Sequence, residues 1–238
     1  HDHEIAWEQF KLPVQAARQA LPITTMSSLE FKDDDTNLAV LGEDFSLVFT
    51  KADGNLVSYR HADRDMLLSG PDLNMWRAPT HNDKTGAHFR EPALAALWRT
   101  AGLDRLVEEN RAFEIEQIDA QRIRVSITNV VGTEGADNNI TCVYHYMVYG
   151  SGDVVLTHHF MPTGSLPLLP RIGLKLALPG EYNYLTWFGR GPHESYPDRQ
   201  VGAKIGIYSG KVEEQFFQYI VPQENGNKTD VRWATFTN

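Results

Sequence analysis

The sequence predicts an all-β fold, an antiparallel sandwich with one short helix. Apolar residues alternate with polar ones through short runs, and turn-forming residues such as Gly, Pro, Asn and Asp separate most of these runs. Alternation indicates strands with one buried face, and many short strands with turns between them are typical of sandwiches. The length of 238 residues suits one large β domain, since such domains reach roughly 200–250 residues.

The first elements are a linker and a hairpin. Residues 13–28 predict a linker, because two prolines interrupt a stretch without strong alternation. The first strand of the main domain is expected near Leu29. The alternating runs Phe45–Phe49 and Leu56–Tyr59 flank an Asp-Gly turn signal at Asp53–Gly54. This arrangement predicts a β-hairpin.

Residues 92–101 predict the single helix. Four apolar residues between Leu94 and Ala101 recur at intervals of three and four, which places them on one helical face. Pro92 suits the first turn of a helix and Gly102 suits its end. We expect this amphipathic helix to cover an edge of the sandwich.

The rest of the chain predicts further strands, and Ile140–Tyr149 and Val154–Phe160 are expected to form a hairpin around residues 150–153. Gly189, Gly191 and two prolines are expected to end strand pairing after Phe188. The remaining predicted strands are Phe113–Ile118, Ile123–Ile127, Ile172–Leu178, Tyr184–Phe188, Ala203–Tyr208 and Val231–Phe236.

Composition excludes several classes of function. The net charge of −9 and the lack of a basic stripe argue against nucleic-acid binding. No apolar run approaches the ~20 residues that cross a bilayer. The single cysteine, Cys142, rules out an intramolecular disulfide and is expected to be a buried small hydrophobe. Asp72, Asn82 and Asp83 lack the spacing of a calcium-binding loop, so we expect no metal site there and a turn at Asn82–Asp83.

The sequence GRGPHESYPDR at residues 189–199 concentrates charge, turn residues and an aromatic in one loop. Loops on a rigid sheet often carry binding groups, but networks of ion pairs also brace strands. Both interpretations remain open. We expect the two arginines to pair with the two carboxylates, which leaves the histidine and the tyrosine for recognition. The residues concerned are Arg190, His193, Glu194, Tyr196, Asp198 and Arg199.

This loop resembles a signature of the C-terminal domain of bacterial family 2 β-galactosidases. WRAPTHND at Trp76–Asp83 resembles the family's RAPxDND motif, and PQENG at Pro222–Gly226 resembles its PSENG motif. HEIAWEQF at His3–Phe10 resembles the strand that closes the preceding immunoglobulin-like domain. Four separate matches in the right order are far more specific than one short motif. The sequence departs from the family pattern at His81 and Ser195.

The resemblance implies a fold and a domain organisation. Residues 29–238 would form the antiparallel supersandwich shared with galactose mutarotases, truncated at its C-terminus relative to the family. Residues 1–12 would be the last strand of the immunoglobulin-like domain, and residues 13–28 the linker. A truncated sandwich is expected to leave an exposed edge strand, and exposed edges favour association.

The resemblance also implies that this chain is not catalytic. Retaining glycosidases use two carboxyl groups, and in this family both belong to a TIM barrel whose motifs do not occur here. The chain would pack beside the upstream barrel and help to wall a pocket for β-galactosides such as lactose. The candidate substrate-binding or domain-interface residues are Trp76, Arg77, Asn82, Asp83, Arg190, His193, Glu194, Tyr196, Asp198, Arg199, Glu224 and Asn225.

The family likeness has further implications for the parent enzyme. Magnesium and sodium would bind at the barrel, whereas no cofactor is expected in this chain. The parent enzyme is expected to be a homo-oligomer, in the bacterial cytoplasm or the periplasm. Nothing in the sequence distinguishes these two compartments.

Two alternative functions remain. A carbohydrate-binding module would hold sugars on aromatic faces. Trp76 and Trp233 lie next to motifs and are its candidates, whereas Trp98 and Trp187 are expected to pack in the core.

An aldose 1-epimerase would need a carboxylate base and a histidine acid. The candidates for that chemistry are His81, His145, His158, His159 and His193, with Glu194 and Glu224; the adjacent His158 and His159 would point to opposite faces of a strand.

Overall fold

The computed structural model describes residues 6–14, 22–85, 92–135 and 139–238. The described residues form mostly antiparallel β-strands with two short helices, which confirms the predicted all-β class. The strands are β1 (Glu30–Asp33), β2 (Asn37–Leu41), β3 (Phe45–Thr50), β4 (Leu56–His61), β5 (Arg64–Leu67), β6 (Ser69–Asn74), β7 (Val107–Asp119), β8 (Arg122–Gly132), β9 (Asn139–Tyr149), β10 (Val154–Pro162), β11 (Gly173–Ala177), β12 (Tyr184–Gly191), β13 (Lys204–Lys211) and β14 (Trp233–Thr237).

The chain divides into two compact units. The first, Pro22–Pro179, is called the sandwich unit below. The second, called the C-terminal unit, contains Gly180–Asn238 together with the described N-terminal residues 6–14. The assignment of residues 1–12, 13–28 and 29–238 to separate domains stays a prediction, because parts of the first two segments lie outside the described residues.

Two sheets share the core of the sandwich unit. One sheet has the order β1-β2-β3-β4-β5, and the other has the order β10-β9-β8-β7. In β8 and β9 every second residue is buried, as the alternating sequence predicts. The Phe49 ring meets the rings of Phe113 and Tyr146, with centroids 6.4 and 5.1 Å away. Cys142 lies in this core, and burial raises the pKa of its thiol to about 12.

The predicted hairpin and helix are both present. β3 and β4 are antiparallel neighbours, and Gly54 in the connecting turn has a φ of 75°. Helix α2 occupies Leu94–Thr100 within the predicted segment and buries Ala95 and Trp98. The turn expected at Asn82–Asp83 is wrong, because both residues lie in a further helix, α1 (His81–Thr85), whose five residues are too few to give a periodic pattern. None of the helices in the described chain has the length and apolar character to span a membrane.

The C-terminal unit contains a sheet of the order β13-β12-β14. β12 continues to Gly191, so the predicted end of pairing after Phe188 is wrong. Gly189 pairs with Gly206 and Arg190 pairs with Ile205. A Cβ atom at Gly189 would lie 2.9 Å from the Val231 Cα. The glycine therefore permits a close approach of two backbones rather than a turn.

Residues 6–14 contain no helix or strand and contact β13. The Gln9 side chain donates to the Ile205 carbonyl at 2.8 Å and accepts from the Ile205 N–H at 2.6 Å. The Lys204 ammonium lies 5.0 Å from the centre of the Trp7 ring. The predicted strand at residues 3–10 begins outside the described residues, and its described part, residues 6–10, is not a strand. Residues 15–21 of the predicted linker also lie outside the described residues.

Candidate functional site

The carboxylate of Glu194 joins the GRGPHESYPDR loop to the PQENG segment. Its Oε2 accepts the Gly226 N–H at 2.7 Å, and its Oε1 accepts from the Arg199 guanidinium and the Tyr219 hydroxyl. Burial alone would raise the pKa of Glu194, but these hydrogen bonds outweigh burial and hold the pKa below its usual value. Glu194 is therefore an ionised cross-link, and its predicted pairing with Arg199 is observed.

Ser195 adds a second set of contacts between the same two segments. Its N–H donates to the Asn227 carbonyl at 2.8 Å, and the Asn227 side chain donates to the Ser195 carbonyl at 2.8 Å. Its hydroxyl accepts the Thr229 N–H at 3.0 Å and lies 2.8 Å from the Thr229 hydroxyl. Ser195 is fully buried. Ser195, where the sequence departs from the family pattern, therefore has a structural role inside the loop.

Arg190 has a different partner from the one predicted. Its Nε donates to Asp230 at 2.5 Å, and its Nη1 donates to the carbonyls of Gln200 and Ala203 at 3.1 and 2.9 Å. Pairing of Arg190 with Glu194 or Asp198 is therefore wrong. The reason is that the Arg190 N–H donates to the Thr229 carbonyl at 3.0 Å, which brings Asp230 beside the β12 backbone. Asp198 is exposed.

The two residues expected to be free for recognition have neighbours within the loop. The Nδ1 and Nε2 of His193 lie 2.7 and 3.1 Å from the carbonyl oxygens of Glu194 and Gly202. The Arg199 guanidinium lies 4.8 Å from the centre of the Tyr196 ring. Burial raises the pKa of the Tyr196 phenol. His193 stays exposed, so it is the more accessible of the two.

Glu224 and Asn225 of the PQENG segment are half-buried. The Asn225 side chain accepts the Phe217 N–H at 3.1 Å and donates to the Gln223 carbonyl at 3.0 Å. Asn225 is thus engaged in holding its own loop.

The residues of the RAPTHND motif in the sandwich unit also form hydrogen bonds with one another. Arg77 donates to the two oxygens of Asp83 at 2.6 and 3.2 Å, and its Nε donates to the Pro170 carbonyl at 3.3 Å. The N–H and hydroxyl of Thr80 both donate to Asp83 at 2.7 Å. Burial alone would raise the pKa of Asp83, but these hydrogen bonds hold the pKa below its usual value. Asn82 remains exposed on α1.

Two tryptophans stack with arginines beside this motif. The Arg77 guanidinium lies 5.1 Å from the centre of the Trp98 ring, and the Arg99 guanidinium lies 5.7 Å from that of Trp76. The two rings meet edge to face at 6.3 Å. The buried Trp98 donates its N–H to the Leu168 carbonyl at 2.7 Å. Trp98 is a packing residue as predicted, and the half-buried Trp76 is more accessible.

In the C-terminal unit, Trp187 and Trp233 differ in the same way. Trp187 is 2% exposed and donates its N–H to the Arg190 carbonyl at 3.0 Å, so it packs as predicted. Trp233 is 42% exposed at the edge of the sheet, and its ring centroid lies 6.2 Å from that of Phe188.

Sequence reasoning missed a polar cluster inside the sandwich unit. Glu108 accepts from the Asn129 amide at 2.7 Å and from the Tyr144 hydroxyl at 3.3 Å. Burial raises the pKa of Glu108, and the two hydrogen bonds offset this only in part. The His158 ring stacks on Tyr144 at 4.4 Å, while His159 is exposed on the opposite face of β10. The signal that could have found the cluster is Asn129, a polar residue at an inward position of the β8 alternation.

The described part of the chain contains no group of three or more His, Cys, Asp or Glu residues that could hold a metal ion.

The fold and the two cross-linked motifs define the chain as a β-sandwich protein with internally paired arginine–carboxylate loops. The family model for the β-galactosidase small chain matches residues 41–238. The chain belongs to this family.

Curated β-galactosidases are similar over nearly the whole chain. The enzyme of Priestia megaterium is 36% identical over 237 residues, which cover 99% of this chain and 22% of that protein. The enzyme of Lactobacillus delbrueckii subsp. bulgaricus is 36% identical over 201 residues, or 84% and 19% of the two chains. The enzyme of Vibrio cholerae is 32% identical over 237 residues, or 97% and 22%. The chain therefore spans about a fifth of the length of these relatives.

Proposed function

We propose that this chain is a non-catalytic C-terminal piece of a family 2 β-galactosidase, which packs beside the catalytic barrel and helps to wall the pocket for terminal β-galactosides. The family match supports this proposal, together with the fact that the chain corresponds to only about a fifth of the related enzymes. The upstream barrel and immunoglobulin-like domain would be its partners. The barrel would supply the retaining chemistry and bind magnesium and sodium, and the parent enzyme would be a homo-oligomer.

The observation that carries the proposal is the state of Asp83 and Glu194, two carboxylates of the motifs that are paired with arginines. A retaining glycosidase needs a pair of carboxyl groups about 5–5.5 Å apart, one of which is kept protonated by a raised pKa. Hydrogen bonds instead lower the pKa of both Asp83 and Glu194, and each carboxylate is occupied by an arginine. Both groups therefore serve structure, which leaves recognition to accessible residues such as His193, Asn82 and Trp76.

The first test is the activity of the isolated chain. Purified as 238 residues, it is expected to hydrolyse nitrophenyl β-galactoside no faster than buffer does. Turnover at an enzyme-like rate would refute the proposal, and D83N and E194Q variants would then show whether these two carboxylates contribute to it.

The second test uses the parent enzyme that carries this chain. Removing an accessible side chain by His193→Ala or Asn82→Ala is expected to raise KM for the galactoside while the fold persists. The matched control is His61→Ala in β4, an exposed histidine outside the motifs. Equal effects of all three substitutions on KM would contradict a role of the motif residues in the pocket wall.

Two further measurements separate the proposal from the alternatives. Polarimetry of freshly dissolved α-galactose detects epimerase activity, and calorimetric titration with galactose or lactose detects an independent binding module. We expect the isolated chain not to accelerate mutarotation. We also expect it to bind these sugars no more tightly than millimolar, because one wall of a pocket makes only part of the contacts to a sugar.

A further inference from the structure

The PQENG segment contains the only Asn-Gly step of the sequence, Asn225–Gly226. Asparagine is a thermolabile residue. It loses ammonia most readily before glycine, because glycine has no side chain to hinder its backbone nitrogen as it attacks the asparagine carboxamide. One of the segments that carry the family resemblance thus contains the step of this sequence that is most prone to deamidation.

The backbone conformation explains why a glycine is required there. Gly226 has a φ of 79°, a left-handed conformation that side chains disfavour. A Cβ atom at this position would also lie 2.8 Å from the Gln215 carbonyl oxygen. A bulkier residue would protect Asn225 from attack, but the loop has no room for one.

Hydrogen bonds restrain both reacting groups, the Gly226 N–H and the Asn225 carboxamide. The Gly226 N–H, whose nitrogen would attack, donates to Glu194 Oε2 at 2.7 Å. The Asn225 carboxamide, which would be attacked, accepts the Phe217 N–H at 3.1 Å and donates to the Gln223 carbonyl at 3.0 Å. The Glu194 carboxylate is itself fixed by Arg199 and Tyr219.

We propose that Asn225–Gly226 is a latent deamidation site that the Glu194 carboxylate keeps unreactive in the folded chain. In the reaction, hydroxide removes the Gly226 N–H proton, and the nitrogen bonds to Cγ of Asn225. The Cγ–Nδ2 bond breaks, and ammonia leaves after it takes a proton from water. Water then opens the succinimide at either carbonyl, which gives aspartate or isoaspartate. One water is consumed, one ammonia is released and nothing is oxidised or reduced.

Glu194 opposes this reaction in two ways. A negative charge next to the amide disfavours its deprotonation, and the nitrogen can reach Cγ only after it breaks a charge-assisted hydrogen bond. The product would also weaken the link between the two segments. An acid at position 225 has no amide to donate to the Gln223 carbonyl, and it adds a carboxylate near Glu194. The proposal does not depend on the proposed function.

The experiment measures deamidation of the peptide that contains Asn225 by mass spectrometry during incubation at mildly alkaline pH. We compare the wild type with Glu194→Ala, which removes the acceptor, and Glu194→Gln, which keeps a neutral one. The matched control is Glu213→Ala, which removes an exposed carboxylate of the same unit. The wild type in urea gives the rate without protection, and circular dichroism reports whether each variant is folded.

Folded E194A is expected to deamidate about ten- to a hundredfold faster than the wild type, as expected for the loss of one charge-assisted hydrogen bond. E194Q should lie between the two, and E213A should match the wild type. If E194A does not fold, E194Q decides the question. The proposal is overturned if folded E194Q and E194A react at the wild-type rate, or if the folded wild type reacts as fast as the chain in urea.

Discussion

Arg77–Asp83 and Arg199–Glu194 are arginine–carboxylate pairs that differ in exposure. The Arg77 and Asp83 side chains are only 18% and 8% exposed, whereas Arg199 is 49% exposed against 11% for Glu194. Removing one partner of an enclosed pair leaves the other charge without compensation, and this costs far more than breaking a solvated pair. The Arg77–Asp83 pair is therefore the more sensitive of the two.

Asp83→Asn is expected to lower the free energy of unfolding by about 2–3 kcal/mol at neutral pH, somewhat less than for fully buried pairs because Arg77 keeps some contact with water. The pKa of Asp83 is lowered in the folded chain. Its contribution is thus present above the pKa of the unfolded state and is lost as the pH falls through the folded pKa. Urea unfolding of both proteins over this range should show the difference shrinking at low pH.

The matched control is Asp104→Asn, which breaks the more exposed pair of Asp104 with Arg105. It is expected to change stability by less than about 1 kcal/mol. An equal loss in both variants would show that Asp83 is no more than a surface partner.

The pKa of Glu108 is shifted in the opposite direction from that of Asp83. Burial raises the pKa of Glu108, so ionisation costs stability as the pH rises from the unfolded pKa through the folded one. Glu108→Gln keeps an acceptor for Asn129 and removes the charge. The variant is expected to gain stability relative to the wild type as the pH rises through this window, by about 1 kcal/mol.

The control for this change is Glu114→Gln, on the exposed face of the same strand, β7. We expect no pH-dependent difference from that substitution in the same unfolding experiment. A gain at Glu114 as large as at Glu108 would mean that general charge reduction, and not burial, explains the effect.

At the scale of elements, β12 shows how glycine can extend a strand. Gly189 and Gly191 both lie in the ladder with β13, and their missing side chains leave room for Val231, Tyr208 and Trp187. The sheet therefore depends on these two positions staying small.

Gly189→Ala is expected to destabilise the C-terminal unit by about 1–3 kcal/mol, because the added Cβ would lie 2.9 Å from the Val231 backbone. Hydrogen exchange of the β12 and β14 amides measures the loss directly. Gly173→Ala in β11 is the control, since a Cβ there meets nothing within 4 Å. Faster exchange in both variants would indicate a general effect of alanine, not a close approach.

Local patterns account for what the sequence predicts well. Alternation locates β3, β8 and β9 because each has one buried face, and the spacing of apolar residues locates α2. The same patterns do not predict contacts between residues that are far apart in the sequence. The partners of Arg190 and Glu194 lie 40 and 32 residues away, at Asp230 and Gly226. No local spacing specifies such a pair, so these two contacts were not predicted, whereas the pairing of Glu194 with Arg199, which is close in the sequence, was.

At the scale of the whole molecule, the two units differ in how much they bury. The sandwich unit has a continuous core drawn from β2, β3, β8 and β9, whereas Trp187 and Ala203 are the buried apolar side chains described in the C-terminal unit. A small unit buries a smaller fraction of its surface and has less stability of its own. The C-terminal unit is therefore the part of this chain that benefits most from a partner.

Its edge strand makes association the expected outcome when no partner is present. All five residues of β14 are exposed, and among the described strands β14 pairs only with β12. Trp233→Lys places a charge on this edge and is expected to lower self-association of the isolated chain several-fold in sedimentation velocity, as lysine does on natural edge strands. Val201→Lys, at an 82% exposed position outside the sheet, adds the same charge to a chain of net charge −9. If both variants reduced association equally, net charge rather than the open edge would control it.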